Sequence, residues 1–263
     1  MFGAIIGDIA GSVYEYSQIK KVSPVEVKDI IPANGFYSDD TILTMAVADA
    51  ILSGKDYGES LRDWSNRYAN YKPEHTPYFE TSFSPGFMKW AKDKYIGTSS
   101  GNGAMMRVSP VGYLFDTIEE VEENARLATI PSHNTESAVN SATTIAKIIF
   151  YARNGTKKQE IVKKLGLTIK KPQIEKFNYT CDDTMDVCLY SLFNSSSFED
   201  SIRKVISFGG DTDTNACIVG SMAEALYGVP EDLKKKALDK LPPDMLQVVS
   251  MYEKRMSDKS IER

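Results

Sequence analysis

The sequence predicts an all-α protein built as a bundle of helices. Apolar residues recur every three or four positions through most of the chain, which is the spacing of one buried helix face. The strongest strand alternative, residues 204–208, is short and isolated. The chain of 263 residues is 42% hydrophobic and 25% charged, which is enough to bury one large core. We therefore expect residues 1–263 to form a single domain.

The first predicted helix lies near the N terminus and carries Gly3, Gly7 and Gly11 at every fourth position. Residues four apart share one side of a helix, so another backbone can approach this smooth side closely. The spacing does not match the dinucleotide-binding fingerprint, and no strand precedes it. Asp8 and Glu15 are about two turns apart and share a face. Asp8 fits a functional acid and the polar flank of a packing helix equally well, whereas Glu15, near the expected helix end, is the better candidate.

The later helices are predicted from the same apolar spacing. They cover 42–50, 61–71, 119–128, 139–149, 156–165, 182–193, 198–207, 214–227 and 231–240. The longest stretch without a helical pattern is 72–110, where turn-forming residues cluster. A connection of this length is usually functional, so we expect it to supply walls of an active site. The charged end from Lys254 onward is predicted to be a frayed helix or a tail.

Composition excludes several classes of protein. The formal net charge of −5 argues against general nucleic-acid binding, which needs a basic face. The three cysteines form no C-x-x-C pair, and an odd number is more typical of reduced thiols than of a disulfide framework. The apolar residues 2–7 have no basic leader and are interrupted by Asp8, so neither a signal peptide nor a membrane span is predicted. We expect a cytoplasmic protein without a membrane partner.

Two clusters of aspartates and hydroxyl residues, each directly before an apolar helical run, are the strongest chemical signal. They are Ser38-Asp39-Asp40-Thr41 and Gly209-Gly210-Asp211-Thr212-Asp213-Thr214. Helix capping explains either cluster alone, because Ser and Asp are common N-caps and the helix dipole favours acids in the first turn. A helix N terminus favours one carboxylate rather than several crowded ones, so the pair points beyond capping. Their hard oxygen donors are those that Mg²⁺, Mn²⁺ or Ca²⁺ prefers, and a shared metal site is predicted if the clusters meet.

Two other interpretations of the second cluster are disfavoured. Asp211, Asp213 and Asn215 match the first ligand positions of an EF-hand, but Ala216 stands where its glycine should be and Met222 where its glutamate should be. Phosphatases that form an aspartyl-phosphate also carry Asp-x-Asp, yet they place it on a strand of an α/β sheet, which this chain lacks.

A glycine-flanked segment, Gly101-Asn102-Gly103-Ala104, lies between the acid clusters. Its glycines can turn successive backbone N–H groups toward an anion, a way to bind phosphate without basic residues. An ordinary turn is the alternative. His133, one of only two histidines, precedes another helix, where it either contacts a substrate or caps that helix.

In their order along the chain, these motifs resemble those of the ADP-ribosylglycohydrolase family, the group of dinitrogenase-reductase-activating glycohydrolase and the ADP-ribosylhydrolases. The motifs are Gly7-Asp8-Ile9-Ala10-Gly11 with Glu15, Ser38-Asp39-Asp40, Gly101-Asn102-Gly103 with Met106-Arg107, Ser132-His133, and Gly210-Asp211-Thr212-Asp213-Thr214. The resemblance spans residues 3–228, which is nearly the whole chain. Each motif alone is weak, but their common order is specific.

The resemblance implies an orthogonal multi-helix bundle with a binuclear Mg²⁺ or Mn²⁺ centre at the base of a cleft. The metal ligands that it implies are Ser38, Asp39, Asp40, Asp211, Asp213 and Thr214. The catalytic residues that it implies are Glu15, Asp40 and Asp213. The substrate-binding residues that it implies are Gly101, Asn102, Gly103, Ala104 and His133.

The activity implied by the resemblance is metal-dependent release of ADP-ribose by cleavage at the anomeric carbon of the distal ribose. The partner would be an ADP-ribosylated protein or a small ADP-ribose conjugate, and a monomer is expected. Some arginine-specific members of the family carry an aspartate in the loop that matches Phe83-Ser84-Pro85-Gly86, and this chain does not. The linkage, whether to arginine, serine or another group, stays open. Two alternatives also stay open: a non-catalytic ADP-ribose-binding module and a metal-dependent hydrolase of another nucleotide conjugate.

Overall fold

The computed structural model describes residues 1–18, 26–73, 81–93 and 95–261, and their regular structure is helical, which confirms the all-α prediction. The helices are α1 (Phe2–Gln18), α2 (Asp39–Ser53), α3 (Tyr57–Arg67), α4 (Pro85–Asp93), α5 (Gly103–Met106), α6 (Ser109–Leu114), α7 (Ile118–Thr129), α8 (Glu136–Arg153), α9 (Lys158–Leu165), α10 (Cys181–Phe193), α11 (Phe198–Ser207), α12 (Thr212–Tyr227), α13 (Glu231–Leu238) and α14 (Pro243–Ile261). Within these residues, β pairing is limited to isolated bridges between Thr98 and His133 and between Gly101 and Thr180.

Hydroxyl side chains cap most of the helices whose starts were predicted. Thr117 and Glu120 form a reciprocal capping box at the start of α7, which satisfies two N–H groups that the helix leaves without partners. Thr135, Thr180 and Ser197 each accept a backbone N–H at the starts of α8, α10 and α11. These caps mark the observed starts of α7, α8, α10 and α11, which lie within three residues of the predicted bounds.

The prediction of an irregular connection over 72–110 is wrong for much of its length. Helices α4, α5 and α6 lie in it, and residues 74–80 and 94 lie outside the described residues. Pro85 is the first residue of α4, where its fixed φ suits a helix start, so this proline marks a boundary rather than a loop. The buried Trp90 and Ala91 then pack one face of that helix onto the core.

The charged C-terminal end is helical, contrary to the prediction of a frayed helix or tail. Helix α14 continues to Ile261. Lys259 is buried in its last turn, and Lys259 Nζ lies 2.6 Å from Asp116 Oδ2. A buried ammonium that is paired with a carboxylate holds this turn against the body of the protein.

Helices α1 and α12 run antiparallel in direct backbone contact. A Cβ built on Gly3, Gly7 or Gly11 would lie 2.0, 1.9 or 2.2 Å from the carbonyl oxygens of Gly220, Ala216 and Thr212, respectively. These distances are far below van der Waals contact, so the two helices can meet only if glycine occupies the α1 positions. The contact places the carboxylates of α1 opposite the start of α12, where the second acid cluster lies.

The rest of the core is packed around this helix pair. Fully buried side chains include Ile5 of α1, Ile42 and Met45 of α2, Ile145 of α8 and Ile218 of α12. The predicted apolar faces therefore meet in one cluster. In the described part of the chain, no helix combines the length and the apolar character that a membrane crossing requires.

Replacing Gly7 by alanine should destabilise the protein by about 3 kcal/mol, because the new methyl group would overlap the backbone of α12. The free energy of unfolding from urea titration would measure this loss. Gly86→Ala is the matched control, since Gly86 is exposed in α4 and a Cβ there meets nothing within 4 Å. The control should be neutral or up to about 1 kcal/mol more stable. Equal stability of Gly7→Ala and the natural protein would contradict the backbone contact.

Candidate active site

The first acid cluster is bonded to α1 through Asp8. The Ser38 N–H and hydroxyl donate to Asp8 Oδ2 and Oδ1 at 2.9 and 2.8 Å. The Thr41 N–H and hydroxyl donate to Asp8 Oδ2 at 3.0 and 2.5 Å. Ser38 also caps α2 by accepting the Asp40 N–H. Ser38 therefore both caps α2 and belongs to a larger polar site, and the cap fixes the position of Asp40.

The two acid clusters meet, as the sequence analysis required for a shared site. The Thr214 hydroxyl donates to Asp40 Oδ2 at 3.2 Å, which joins the starts of α12 and α2. Carboxylate oxygens of Asp8, Asp40 and Asp213 lie within 4.8 Å of one another, and the same holds for Glu15, Asp211 and Asp213. Asp213 belongs to both groups, so they are adjacent.

Burial and mutual repulsion make this cluster electrostatically unfavourable when it is ionised. Burial raises the pKa of Asp40 and Asp213 well above the usual range, and neighbouring carboxylates raise it further. Burial also raises the pKa of Asp8 to about 6, although hydrogen bonds from Ser38 and Thr41 oppose the shift. Asp40 Oδ1 is buried without a hydrogen-bond partner among the described residues. A cation-binding site has these properties. A divalent ion would offset the negative charges of the carboxylates and give Asp40 Oδ1 a partner.

Asp39 is less enclosed than Asp40. Its N–H donates to Ser82 Oγ at 2.7 Å, and its carboxylate accepts the Ser82 hydroxyl at 3.1 Å. Burial, followed by the charge of Asp8, raises its pKa to about 7. Within the described residues, Asp39 belongs to neither of the two groups whose carboxylate oxygens lie within 4.8 Å of one another. Asp39 therefore lies beside the cluster, in contact with the segment before α4.

The glycine loop, residues 101–103, contacts the second acid cluster through a side chain. Asn102 Nδ2 donates to Asp211 Oδ2 at 2.7 Å. Asn178 Oδ1 accepts the Asp211 N–H at 3.0 Å, and Asn178 Nδ2 donates to Asn215 Oδ1 at 2.8 Å. Asp211 is therefore held by two amide side chains from loops that are distant in the sequence. Positive φ at Gly210 (78°) turns the chain into this position.

The expected row of N–H groups facing an anion is not formed in the glycine loop. The Gly101 N–H donates to Ser99 Oγ and the Asn102 N–H to the Tyr179 carbonyl, at 3.1 and 2.9 Å. The Ala104 N–H donates to the Gly101 carbonyl at 3.4 Å, since Asn102 is the N-cap of the short helix α5. The left-handed glycines of the described chain lie elsewhere. The phosphate-cradle geometry is therefore wrong for this structure, and the loop's role in substrate binding stays a prediction.

His133 lies against the glycine loop, and it does not cap a helix. Thr135 is the N-cap of α8, so the capping interpretation of His133 is wrong. A Cβ built on Gly101 or Gly103 would lie 3.6 or 3.5 Å from His133 Nε2. Burial, followed by the charge of Arg107, holds the pKa of His133 well below its usual value. The ring is therefore neutral at physiological pH.

The sequence left Asp8 undecided between a functional acid and the polar flank of a packing helix, and the structure places its carboxylate in the cluster. Ser82 and Asn178 were missed because they carry no comparable signal in the sequence, since each is an ordinary polar residue whose partners are brought near only by folding.

The chain matches the family model described as ADP-ribosylglycohydrolase over residues 1–260. It is 24% identical to a protein of Pseudomonas putida (strain GB-1) named ADP-ribosylarginine hydrolase Tri1, with 90% of this chain and 73% of that protein covered. It is 22% identical to the Homo sapiens protein named ADP-ribosylhydrolase ARH3, over 95% of this chain and 88% of the relative. A solved structure named ADP-ribosylglycohydrolase-related protein complex has the same fold, with a TM-score of 0.66, 19% identity and coverage of 97% of this chain and 94% of that one.

Proposed function

The chain belongs to the ADP-ribosylglycohydrolase family, and we propose that it is a metal-dependent hydrolase that releases ADP-ribose. In this proposal, it cleaves the bond at the anomeric carbon of the distal ribose in an ADP-ribosylated protein side chain or small conjugate. The proposal rests chiefly on one observation, the buried carboxylate cluster in which Asp40 Oδ1 has no hydrogen-bond partner among the residues that the structure describes.

The residues present fit a site for two Mg²⁺ or Mn²⁺ ions. All of the donors are oxygens, which these cations prefer, and Asp213 belongs to both groups of nearby carboxylates. The proposed ligands are Ser38, Asp39, Asp40, Asp211, Asp213 and Thr214, with Asp8 added because its carboxylate lies in the same cluster. When bound, the cations would orient ribose hydroxyls and lower the pKa of a nearby water.

The protein's own groups would then carry the proton and stabilise the reacting sugar. Cleavage at the anomeric carbon builds positive charge on the ribose, and we assign the clustered carboxylates of Asp40 and Asp213 the role of stabilising it. Glu15 reaches the cluster from α1 beside Asp213, and we assign it the role of accepting a proton from the attacking water. Asn102 keeps the Asp211 carboxylate in position through its amide.

The glycine loop with Ala104 and His133 is proposed to bind the diphosphate and adjoining ribose of ADP-ribose. This surface is next to the carboxylates, because Asn102 touches Asp211. One relative's name refers to arginine-linked ADP-ribose, and the other's refers to ADP-ribosyl hydrolysis without stating a linkage. We propose both arginine and serine linkages as substrates. We further propose that the chain acts as one domain and as a cytoplasmic monomer.

A product assay tests the proposal. Proteins carrying ADP-ribose on arginine and on serine are incubated with the protein, with Mg²⁺ or Mn²⁺ or with EDTA, and free ADP-ribose is measured by chromatography. We expect release from at least one substrate, and only with added cation. ADP-ribose that binds without any release would instead indicate a non-catalytic binding module. Release of a different nucleotide product would indicate a hydrolase of another conjugate.

A further inference from the structure

A buried hydrogen-bonded chain runs from Arg107 through Ser132 to His133. Arg107 Nη2 lies 2.7 Å from Ser132 Oγ, and Ser132 Oγ lies 2.7 Å from His133 Nδ1. Arg107 also donates to the Ala128 carbonyl at the end of α7. Arg107, Ser132 and His133 are each at most 5% exposed. Burial keeps bulk water away from the Ser132 hydroxyl, so its proton is expected to have a protein acceptor.

The proton of the Ser132 hydroxyl has one acceptor among the described residues. A guanidinium can only donate, so Ser132 Oγ accepts from Arg107. The hydroxyl proton must then go to His133 Nδ1, the other group in contact with it. The reverse arrangement, in which Nδ1 donates to Ser132, would leave a buried hydroxyl proton without an acceptor.

The charge near the ring supports the same assignment. Burial and the positive charge of Arg107 lower the pKa of His133, so the ring carries a single proton. With Nδ1 accepting a hydrogen bond, that proton sits on Nε2. Nothing in the described part of the chain hydrogen-bonds to Nε2, which faces the glycine loop.

We propose that Arg107 and Ser132 are positioning residues that hold His133 as the neutral Nε2–H tautomer, so that the ring offers a hydrogen-bond donor to an anionic ligand oxygen at the glycine loop. The ligand's identity rests on the proposed function, in which the oxygen belongs to the diphosphate of ADP-ribose. A neutral donor suits this place, because a charged imidazolium would be unfavourable beside the guanidinium.

The tautomer can be measured in the ligand-free protein by ¹⁵N NMR of labelled histidine. A neutral imidazole has well-separated shifts for its protonated and bare nitrogens, and the chain's other histidine, His75, is assigned by His75→Gln. We expect the Nε2–H form of His133 in the natural protein, a mixture of tautomers in Ser132→Ala, and return of the single form in Ser132→Thr. A Nδ1–H ring in the natural protein, or an unchanged single tautomer in Ser132→Ala, would overturn the assignment.

Binding of ADP-ribose tests the consequence for the ligand. Calorimetric titration should give a dissociation constant about tenfold higher for Ser132→Ala than for the natural protein, with recovery in Ser132→Thr. Equal affinities in the natural protein and Ser132→Ala would overturn the ligand part of the inference. If the natural protein does not bind ADP-ribose, the proposed function fails, and with it the ligand part of the inference. The tautomer assignment is decided separately by the spectrum.

Discussion

Asp213→Asn should lower the rate of ADP-ribose release by at least about 1,000-fold. Asp213 is the carboxylate common to both groups of closely spaced acids in the candidate active site. The amide keeps the size of the side chain and removes its negative charge. The rate of ADP-ribose release under saturating Mg²⁺ or Mn²⁺ would measure the effect. The same variant should be more stable than the natural protein in EDTA at neutral pH, since it removes a buried charge from among like charges.

This pair of measurements separates a lost function from a lost fold. Asp258→Asn is the matched control, because Asp258 is exposed on α14 and should change neither rate nor stability. Full activity in Asp213→Asn would contradict the assignment of the site. Lower stability of Asp213→Asn in EDTA would contradict the account of carboxylate repulsion.

Without divalent cations, the protein should lose stability as the pH rises from about 4 to about 7. The folded-state pKa values of Asp8 and Asp39 are raised to about 6 and about 7, so the folded state binds more protons than the unfolded state in this range. Ionisation of Asp8 alone therefore lowers the free energy of unfolding by about 3 kcal/mol. Thermal unfolding in EDTA at a series of pH values would show the decline.

Added Mg²⁺ or Mn²⁺ should reverse that decline at neutral pH. A cation that binds only the folded protein stabilises it and pairs the carboxylates, so the midpoint of thermal unfolding should rise by about 10 °C. Asp40→Asn should reduce the increase, because it removes one of the buried ligand candidates. A midpoint that is independent of pH in EDTA, or unaffected by either cation, would show that the cluster is not a cation site.

Many of the helices, but not α4, α5, α6 or α14, and the identity of the acid clusters could be predicted, because these features depend on neighbours in the sequence. The apolar spacing of α12 and the acids at its start lie within one short segment, and so does the glycine row of α1. Local patterns of this kind persist in the folded protein because the same residues form the helix and its buried face. The cap at Ser38 was also predictable from the preference of hydroxyl side chains for helix starts.

The role of Asp8 and the state of the glycine loop could not be predicted in the same way. Asp8 bonds to Ser38, 30 residues away, and Asn102 bonds to Asp211, 109 residues away. Successive N–H groups of the glycine loop were expected to face an anion, but the Asn102 N–H donates to the Tyr179 carbonyl of a neighbouring loop. Whether a polar group can hydrogen-bond a ligand depends on which distant segment packs against it in the folded protein.

The sequence by itself determined that this protein is all-α and that two oxygen-rich clusters begin two of its helices. Only the tertiary structure decided that Asp8 anchors the first cluster through Ser38 and Thr41, and that His133 faces the glycine loop instead of capping a helix. The physical reason is the close contact of α1 with α12. Because glycine lets the two backbones touch, the carboxylates of α1 lie next to the second cluster. Helix formation is a local property of the chain, whereas the burial and repulsion of these charges arise only when the helices pack.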